Sequence, residues 1–437
     1  MSENSTDFKI YGGQSLRGEI TTNYSKNGAM GLLCGALLNR GRTILHGIPR
    51  IEEVNRIIEV LTSIGVTVEW IGVNSLQIQP PKSLKLEQIN RQSANKTRTI
   101  LMFLGPLIHW YKNFSLPHSQ GCNLGKRTAI AHIYGFAELG VTIKTTSNNY
   151  EVKVGQLKPK EVVLYEAGDT ATENILLAAA KIPGQTTIRF ATSNYMVQEL
   201  CFFLQKCGVK IEGIGTSTLV VYGVSEIEQE VEYHNSEDPI ESMMFLSAAI
   251  VTNSHLTIKR CPIDFLTLEL YKLKKMGLKY KQSKRYKAHN GQIDLVDITV
   301  FPSKLKAPEE KIHPLPYPGI NIDNLPFFVP IAAVAKGETL IHDWVYENRA
   351  IHYMELTKLG ARMILADPHR VYVTGSTTFK PTQIACPPAL RPAMIILIAM
   401  LAADGVSILR NVYSISRGYE EIATRLNSLG AKIEVLS

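Results

Sequence analysis

A cysteine lies in an unusual context in the stretch GCNLGKR, residues 121–127. Two glycines bracket Cys122, and Lys126 and Arg127 follow closely. Most buried cysteines lie in apolar runs, where they pack as small hydrophobic side chains. A thiol on a glycine-rich loop beside two cations is instead a candidate for chemistry, because nearby positive charge lowers its pKa and keeps the thiolate accessible.

Polar residues also gather immediately before six apolar stretches with a helical pattern. These segments are YSKNGAM (24–30), NKTRTIL (95–101), GDTATEN (168–174), SEDPIES (236–242), NIDNLPF (321–327) and PPALRPA (387–393). If the six helices start on a common side, their free N–H groups and dipoles converge on one cleft that suits an anion. Lys26, Arg98 and Arg391 would add full charges there. Any single segment could equally be a helix cap or a solvated surface, but the recurrence favours a shared site.

The elements that must position these residues repeat along the chain. Six times a helical pattern ends on an apolar residue, a glycine follows, and a short alternating strand begins. The six glycines are Gly65, Gly140, Gly208, Gly277, Gly360 and Gly430. Glycine directly after the last helical turn is typical of a left-handed C-terminal cap. The pattern predicts six related helix–strand units.

A second series of helices alternates with the first and is apolar on nearly every side. The stretch from Ala393 to Ala403, AMIILIAMLAA, is the longest of these runs. It is too short for a membrane span, which needs about 20 residues, so we interpret it as a buried helix. A helix without a polar face must be surrounded by protein. Several units of this α/β repeat must therefore enclose their apolar helices together.

Composition narrows the class of protein. The 437 residues suffice for two or more domains, and 45% apolar with 20% charged residues is typical of a soluble globular chain. The start, MSENSTDFKIY, has no secretory pattern. The six cysteines form no CxxC pair, which argues against zinc or disulfides and for a reducing cytosol. Cys34 and Cys201 lie in apolar helical patterns and are expected in the core.

The net charge of +8 could indicate nucleic acid or a small anionic substrate. No dense run of Lys and Arg with interleaved aromatic residues occurs, so we predict no nucleic-acid partner. We also predict no membrane partner. The oligomeric state stays open.

Taken in order, the motifs resemble those of the enolpyruvyl transferase family over essentially the whole chain. They are SKN (25–27), Arg98 ahead of LGPL (104–107), GCNLGKR (121–127), ATEN (171–174), NID around Asp323, VYENR (345–349), LR (390–391) and RGYE (417–420). The resemblance implies two domains, each an inside-out α/β barrel of three βαβαββ units, with the active site in the cleft between them. It assigns residues 25–236, with the Cys122 loop, to one domain and residues 1–24 plus 237–437 to the other.

The resemblance also implies the reaction. The enolpyruvyl group of phosphoenolpyruvate would pass to the 3′-hydroxyl of UDP-N-acetylglucosamine in the cytoplasm, with release of phosphate, as the first committed step of peptidoglycan synthesis. No metal or organic cofactor would be needed. Cys122 would protonate C3 of phosphoenolpyruvate, and its thiol would be open to alkylation by the epoxide fosfomycin. Lys26, Arg127 and Arg417 would surround the phosphate and carboxylate of this substrate.

Further roles follow from the same match. Asp323 corresponds to the carboxylate that contacts the acceptor hydroxyl and removes its proton, and Asn27 to a residue that orients substrate. Val345 corresponds to a contact of the sugar nucleotide. Arg98, Arg349 and Arg391 match further arginines of the cleft.

The acceptor half departs from the family pattern, although His132 is kept. Unusual residues stand at six acceptor-side positions: Thr128, Ile130, Glu166, Gly168, Pro239 and Ala389. Enolpyruvyl transfer to another nucleotide, such as a uridine mononucleotide, therefore remains open, as does a non-catalytic nucleotide-binding relative. A shikimate-pathway transferase is less favoured, because the thiol loop resembles the sugar-nucleotide branch. RNA 3′-end processing on a similar repeat fold is suggested only by the charge.

Overall fold

The structure is a computed structural model that describes residues 6–118 and 128–436. Strands and helices alternate throughout, as the repeated sequence pattern predicts. The strands are β1 (Asp7–Gly12), β2 (Arg17–Thr21), β3 (Thr43–His46), β4 (Thr67–Trp70), β5 (Ser75–Gln79), β6 (Asn113–Pro117), β7 (Val141–Thr145), β8 (Asn149–Val154), β9 (Glu161–Val163), β10 (Gly184–Arg189), β11 (Lys210–Glu212), β12 (Thr218–Gly223), β13 (Val231–His234), β14 (His255–Pro262), β15 (Lys279–Gln282), β16 (Tyr286–Lys287), β17 (Asp294–Phe301), β18 (Glu338–His342), β19 (Arg362–Asp367), β20 (Arg370–Thr374), β21 (Gln383–Ala385), β22 (Gly405–Arg410) and β23 (Lys432–Leu436).

The helices fall between these strands. The α-helices are α1 (Lys26–Gly35), α2 (Glu52–Ser63), α3 (Arg91–Lys96), α4 (Leu104–Leu107), α5 (Ile130–Glu138), α6 (Asp169–Ala179), α7 (Tyr195–Lys206), α8 (Pro239–Val251), α9 (Thr267–Lys275), α10 (Phe328–Val334), α11 (Leu390–Ala402), α12 (Tyr413–Ser416) and α13 (Ile422–Asn427). The 3-10 helices are Ala36–Leu38, Leu86–Gln88, Arg98–Phe103, Ile263–Phe265, Leu325–Phe327 and Ala350–Leu359.

The described strands pair into small sheets, one for each repeat of the sequence. Their strand orders are β13-β3-β5-β4, β6-β8-β7, β11-β12-β10-β9, β15-β17-β14-β2 with β16 on β17, β18-β20-β19 and β21-β22-β1-β23. In the described residues, no sheet combines strands from 43–234 with strands from 255–436. The start of the chain joins the later group, because β2 runs parallel to β14 and β1 lies between β22 and β23.

The six repeated glycines have the backbone conformation that the sequence predicts. Their φ angles are positive, from 88° at Gly208 to 105° at Gly277. A side chain is disfavoured in this left-handed region, whereas glycine enters it freely. Each glycine therefore ends one helix and turns the chain into the next strand, which confirms the predicted units.

The apolar helices form the core, also as predicted. Every residue of α8 is buried, and α11, which contains most of the run from Ala393 to Ala403, is buried over nearly its whole length. α8 packs against α10 and α11, and α6 packs against α4 and α7. Cys34 and Cys201 are fully buried in this core. Among the described helices, none is both long and apolar enough to cross a membrane.

Candidate active site

Lys26 and Arg417 meet on one carboxylate, although they lie near opposite ends of the chain. Lys26 Nζ and Arg417 Nη2 each lie 3.4 Å from Oε2 of Glu53. The other oxygen, Oε1, accepts a hydrogen bond of 3.1 Å from the Thr97 hydroxyl. Burial pushes the pKa of Glu53 upward, but the two cations hold it below its ordinary value. Glu53 is therefore ionised at neutral pH and balances two charges that the sequence predicts to bind substrate.

The start of α1 fixes the position of Lys26. Ser25 caps the helix by accepting a hydrogen bond from the Gly28 backbone N–H at 2.9 Å. Lys26 Nζ donates to Asn27 Oδ1 at 3.1 Å, and Asn27 Nδ2 donates to the Tyr195 hydroxyl at 3.0 Å. Both predicted substrate-binding residues of α1 therefore take part in one hydrogen-bonded chain.

A second cluster surrounds Asp323. Arg391 Nη2 lies 3.3 Å from Asp323 Oδ2, and Arg349 Nη1 lies 3.6 Å from Oδ1. The Asp323 side chain is 23% exposed, whereas Arg349 is 1% and Arg391 is 6% exposed. Two nearly buried guanidinium groups thus face a carboxylate that stays accessible. A carboxylate that stays accessible beside two guanidinium groups can reach the hydroxyl of a bound molecule.

Both arginines are anchored by other groups. Arg349 forms a two-point ion pair with the buried carboxylate of Asp343, at 2.6 and 3.0 Å, and also donates to the Ile322 carbonyl at 2.8 Å. The Tyr353 hydroxyl donates to the same Asp343 at 2.6 Å. Arg391 donates to the Tyr419 hydroxyl at 2.8 Å. No sequence motif predicts the contact of Arg349 with Asp343.

Asp238, at the start of α8, lies near both the Lys26 cluster and the Asp323 cluster. Its side chain caps α8 through the Ile240 N–H at 2.8 Å, and it also accepts a hydrogen bond from the Lys26 backbone. Burial raises the pKa of Asp238 to about 6, and the nearby charge of Arg391 only partly opposes this. Asp238 therefore lies close enough to the Lys26 backbone and to Arg391 for both to affect its charge.

The remaining predicted residues divide into three groups. Arg98 donates to the Thr128 carbonyl at 3.5 Å and lies near His132, whose pKa falls to about 3 through burial and that positive charge. Val345 is 44% exposed and precedes Tyr346, whose ring lies under the Arg349 guanidinium. Direct contacts that join Arg98 or Val345 to Lys26, Arg417 or Asp323 do not occur in the described part of the chain. Cys122, Lys126 and Arg127 lie outside the described residues.

The unusual acceptor-side residues lie at helix starts or at the surface. Gly168, Ala389 and Pro239 stand at the N-termini of α6, α11 and α8, where Gly168 and Ala389 supply no side-chain cap. Ile130 and Glu166 are exposed. His132 stays buried, held by Asn174 at 2.9 Å.

One group of metal-ligating residues occurs in the described ranges. His46, Glu232 and His234 lie on the paired strands β3 and β13. His46 Nε2 contacts the Glu232 carboxylate at 2.8 Å, and the two histidine rings stack with centroids 4.3 Å apart. Stacking turns ring faces, rather than nitrogen lone pairs, toward each other, so a hydrogen bond and ring stacking explain this group.

Sequence reasoning missed several members of the site. Glu53 lies in the acidic first turn of α2. A carboxylate is common in a first turn because it interacts favourably with the helix dipole, so this position needs no functional explanation. Asp238 lies in the polar segment SEDPIES (236–242), which predicts a helix start but not which distant charges it meets, and Tyr195 lies in an otherwise apolar helix pattern. For Tyr419 a signal existed, because it lies within the RGYE motif.

Similarity to known proteins extends over nearly the full length of the chain. Residues 10–426 match the family model of EPSP synthase (3-phosphoshikimate 1-carboxyvinyltransferase). The UDP-N-acetylglucosamine 1-carboxyvinyltransferase of Borreliella burgdorferi is 31% identical, over 97% of this chain and 98% of the relative. The enzyme of the same name from Treponema denticola is 33% identical, over 98% and 99%.

Solved structures share the fold over almost the full length. The enolpyruvyl transferase NikO from Streptomyces tendae superposes with a TM-score of 0.83 at 21% identity, covering 99% of both chains. An EPSP synthase from Acinetobacter baumannii superposes with a TM-score of 0.77 at 19% identity, covering 99% of this chain and 100% of the other. With the family model matched from residue 10 to residue 426, this protein belongs to the EPSP synthase family of enolpyruvyl (carboxyvinyl) transferases.

Proposed function

We propose that this protein transfers the enolpyruvyl group of phosphoenolpyruvate to the 3′-hydroxyl of UDP-N-acetylglucosamine and releases phosphate. The reaction would be the first committed step of peptidoglycan synthesis and would take place in the cytoplasm. The observation that carries the proposal is the meeting of Lys26 and Arg417 on Glu53, together with the pairing of Asp323 with Arg391 and Arg349. The full-length similarity to two carboxyvinyltransferases of that name supports the choice of acceptor.

Phosphoenolpyruvate carries a phosphate and a carboxylate on three carbons and needs several cations. Lys26 and Arg417 already lie together, and Glu53 supplies the counter-charge that keeps them so in the absence of substrate. Substrate oxygens can join or replace the Glu53 carboxylate on these cations. An Arg fork suits planar oxygen pairs, whereas Lys acts as a movable point charge. Arg127 is proposed to complete this set.

In the chemical step, Asp323 takes the proton of the acceptor hydroxyl, and the oxygen attacks C2 of phosphoenolpyruvate. Cys122 delivers a proton to C3, so that C2 becomes bonded to both oxygens. Loss of phosphate from C2 and of a proton from C3 then restores the double bond in the product. Arg349 and Arg391 hold Asp323 in place and keep it ionised. Asn27 is proposed to orient the substrate, and Arg98 and Val345 to contact it.

The reaction fits a chain with two domains, each an inside-out barrel of three units. We propose residues 25–236 as one domain and residues 1–24 with 237–437 as the other. The separate strand pairing of 43–234 and 255–436, with β1 and β2 on the later group, supports this division. Lys26 and Glu53 would then belong to one domain and Arg417, Asp323 and Arg391 to the other, so that the site lies between them.

A second acceptor deserves a test because the acceptor side is altered. Glu166 places an exposed negative charge just before α6, and Ile130 presents an apolar side chain at the start of α5. These residues favour an acceptor other than the UDP-sugar, for example a uridine mononucleotide.

Phosphate release distinguishes these functions. The purified protein is incubated with phosphoenolpyruvate and, in parallel, with UDP-N-acetylglucosamine, UMP, uridine and shikimate 3-phosphate. We expect release with the UDP-sugar and a product heavier by the enolpyruvyl group in mass spectrometry. Release with UMP alone would establish the second acceptor, and no release with any of them would refute enolpyruvyl transfer.

A further inference from the structure

A cavity of about 460 Å³ lies at the C-terminal ends of α8 and α10, and the last residues of these helices, Val251 and Val334, line it. α8 starts at Pro239, directly after Asp238 of the candidate active site, and its 13 residues span about 20 Å. The cavity is therefore at the opposite end of the helix from that site. Small-molecule sites in proteins are typically clefts of about 300–1,000 Å³, so this cavity is large enough for a ligand.

Three lysines give the cavity its charge. Lys304 and Lys306 lie after β17 and Lys336 lies before β18, and all three are exposed residues of the lining. No aspartate or glutamate among the described residues belongs to the lining. Within the ranges 6–118 and 128–436, none of the three ammonium groups forms an ion pair with a carboxylate. The cavity thus concentrates positive charge that no acidic side chain of its described lining balances.

The helix ends explain only part of this concentration of lysine. The C-terminus of a helix carries about half a negative charge and commonly attracts lysine. Because α8 and α10 both end at the cavity, their two partial charges offset about one of the three lysines. About two positive charges then remain, and they match the charge of a phosphate monoester near neutral pH.

Backbone hydrogen bonds hold the segments that carry the lysines. The Lys306 N–H donates to the Met276 carbonyl at 2.8 Å. The Lys336 N–H donates to the Leu305 carbonyl, and the Ala307 N–H donates to the Lys336 carbonyl, each at 2.8 Å. The two segments therefore form one fixed wall of the cavity. An anion has to order only the lysine side chains, which keeps the entropic cost of binding low.

Apolar side chains occupy another part of the lining. The apolar lining residues are Ile250, Val251, Leu305 and Val334. Their side chains cannot bind phosphate oxygens, but they can pack against the carbon skeleton of a phosphate ester. The uncharged polar residues of the lining are Asn253, Ser303 and Ser376. The cavity thus combines a cationic part with an apolar part, which suits an anion that carries a carbon skeleton.

We propose that this cavity is a second ligand site and binds a small organic phosphate. Lys304, Lys306 and Lys336 hold the phosphate dianion, and the apolar residues contact the carbon skeleton. The ligand is recognised through these groups whatever acceptor the candidate active site uses. The inference therefore goes beyond the proposed function and does not depend on it.

Isothermal titration calorimetry with phenyl phosphate and with inorganic phosphate tests the site. At about pH 8 both probes carry close to two negative charges, so their difference in affinity measures the apolar contact. We expect phenyl phosphate to bind tighter by about 3-fold or more. Because exposed ion pairs are individually weak, Lys304→Ala, Lys306→Ala and Lys336→Ala should each weaken binding by about 2- to 5-fold, and the triple variant by about 10-fold or more. Lys158→Ala removes one exposed positive charge elsewhere and should leave the affinity unchanged.

Lysine acetylation, mapped by peptide mass spectrometry, shows where the anion binds. Phenyl phosphate should protect Lys304, Lys306 and Lys336 from acetylation but should not protect Lys158. The probe can also reach Lys26 in the candidate active site, so the experiment is repeated with Lys26→Ala. Protection of the three cavity lysines should persist in that variant, because the two sites lie at opposite ends of α8.

Each other outcome overturns the inference. Protection of Lys26 without protection of the cavity lysines would place the anion in the candidate active site alone. Equal weakening by Lys158→Ala and by the cavity variants would show a general effect of surface charge, and equal affinity for the two probes would remove the carbon skeleton from recognition. No measurable binding at millimolar phenyl phosphate would refute the site outright. All of these results leave the proposed function standing, because phosphate release with an acceptor tests it separately.

Discussion

The Arg391 guanidinium lies 3.3 Å from the Asp323 carboxylate, and both side chains come from helix starts of the later part of the chain. Arg349 adds a second guanidinium 3.6 Å from the other oxygen. The two arginines balance the negative charge of Asp323, and its carboxylate remains partly exposed to solvent. A base in this setting is ready to receive a proton from a hydroxyl that reaches the cluster.

Asp323→Asn should remove the base while keeping the shape of the side chain. We expect kcat to fall by about 10²- to 10⁴-fold, the usual contribution of a positioned acid or base. Phosphate release under saturating substrates measures this loss. Asp367→Asn, in an exposed ion pair with Arg370, is the matched control and should keep full activity. A kcat within 3-fold of wild type would remove Asp323 from the proton-transfer step.

Lys26→Ala should weaken phosphoenolpyruvate binding. If Lys26 pairs with a desolvated phosphate, removing its side chain should weaken the binding free energy of phosphoenolpyruvate by about 2 kcal/mol or more. This corresponds to about 30-fold in affinity. The KM and the directly titrated Kd for phosphoenolpyruvate both report the change. Lys9→Ala, whose partner Glu434 is a surface residue, should leave them unaltered. Unchanged affinity in Lys26→Ala would contradict the placement of substrate at Glu53.

Cys122→Ser should lower turnover sharply, because an alcohol is a far weaker acid than a thiol. In wild type, fosfomycin should label Cys122 selectively, as mapped by peptide mass spectrometry. The five cysteines among the described residues are free but mostly buried, and burial raises the pKa of even the half-buried Cys386 to about 12. Cys386→Ser therefore serves as the control for both activity and labelling. Equal labelling of Cys386 would contradict a specially activated Cys122.

Glu199 should make stability depend on pH. Burial raises its pKa from 4.5 to about 7, and hydrogen bonds from Asn290 and Ser236 only partly oppose this. The folded state then holds a proton that the unfolded state releases above pH 4.5, so stability is fully present below pH 4.5 and is lost as pH rises toward 7. The loss is at most about 3 kcal/mol.

Thermal unfolding between pH 4.5 and 8 measures this effect. Glu199→Gln cannot titrate, so its melting temperature should fall less than that of wild type over this interval. Glu212→Gln changes an exposed carboxylate on β11 and should follow the wild-type curve. Parallel curves for wild type and Glu199→Gln would show that Glu199 does not titrate in this range.

Local sequence patterns predicted the repeated units well. A glycine at a helix end has a single steric reason to be there, and all six have the required conformation. A helix as apolar as α8, whose polar residues are only Glu241, Ser242 and Ser247, is expected to be buried. The matched motifs also predicted roles for Lys26, Arg417 and Asp323; the structure pairs the first two with Glu53 and the third with Arg349 and Arg391.

Local sequence patterns could not predict contacts between residues that lie far apart in the chain. Glu53 and Arg417 are 364 positions apart, and nothing near Glu53 distinguishes it from an ordinary acidic residue at a helix start. Asp343 likewise looks like any carboxylate after a strand, yet it anchors Arg349. Only folding reveals which opposite charge or hydroxyl each carboxylate faces.

The placement of β1 and β2 sets an order of events during translation. These strands are made well before their partners: β2 cannot pair until β14 has been made, and β1 must wait for β22 and β23. Strands β3 to β13 find all their partners among themselves much earlier. Residues 43–234 can therefore pair their strands while synthesis continues, whereas the sheet that contains β1 can close only after β23 has been made.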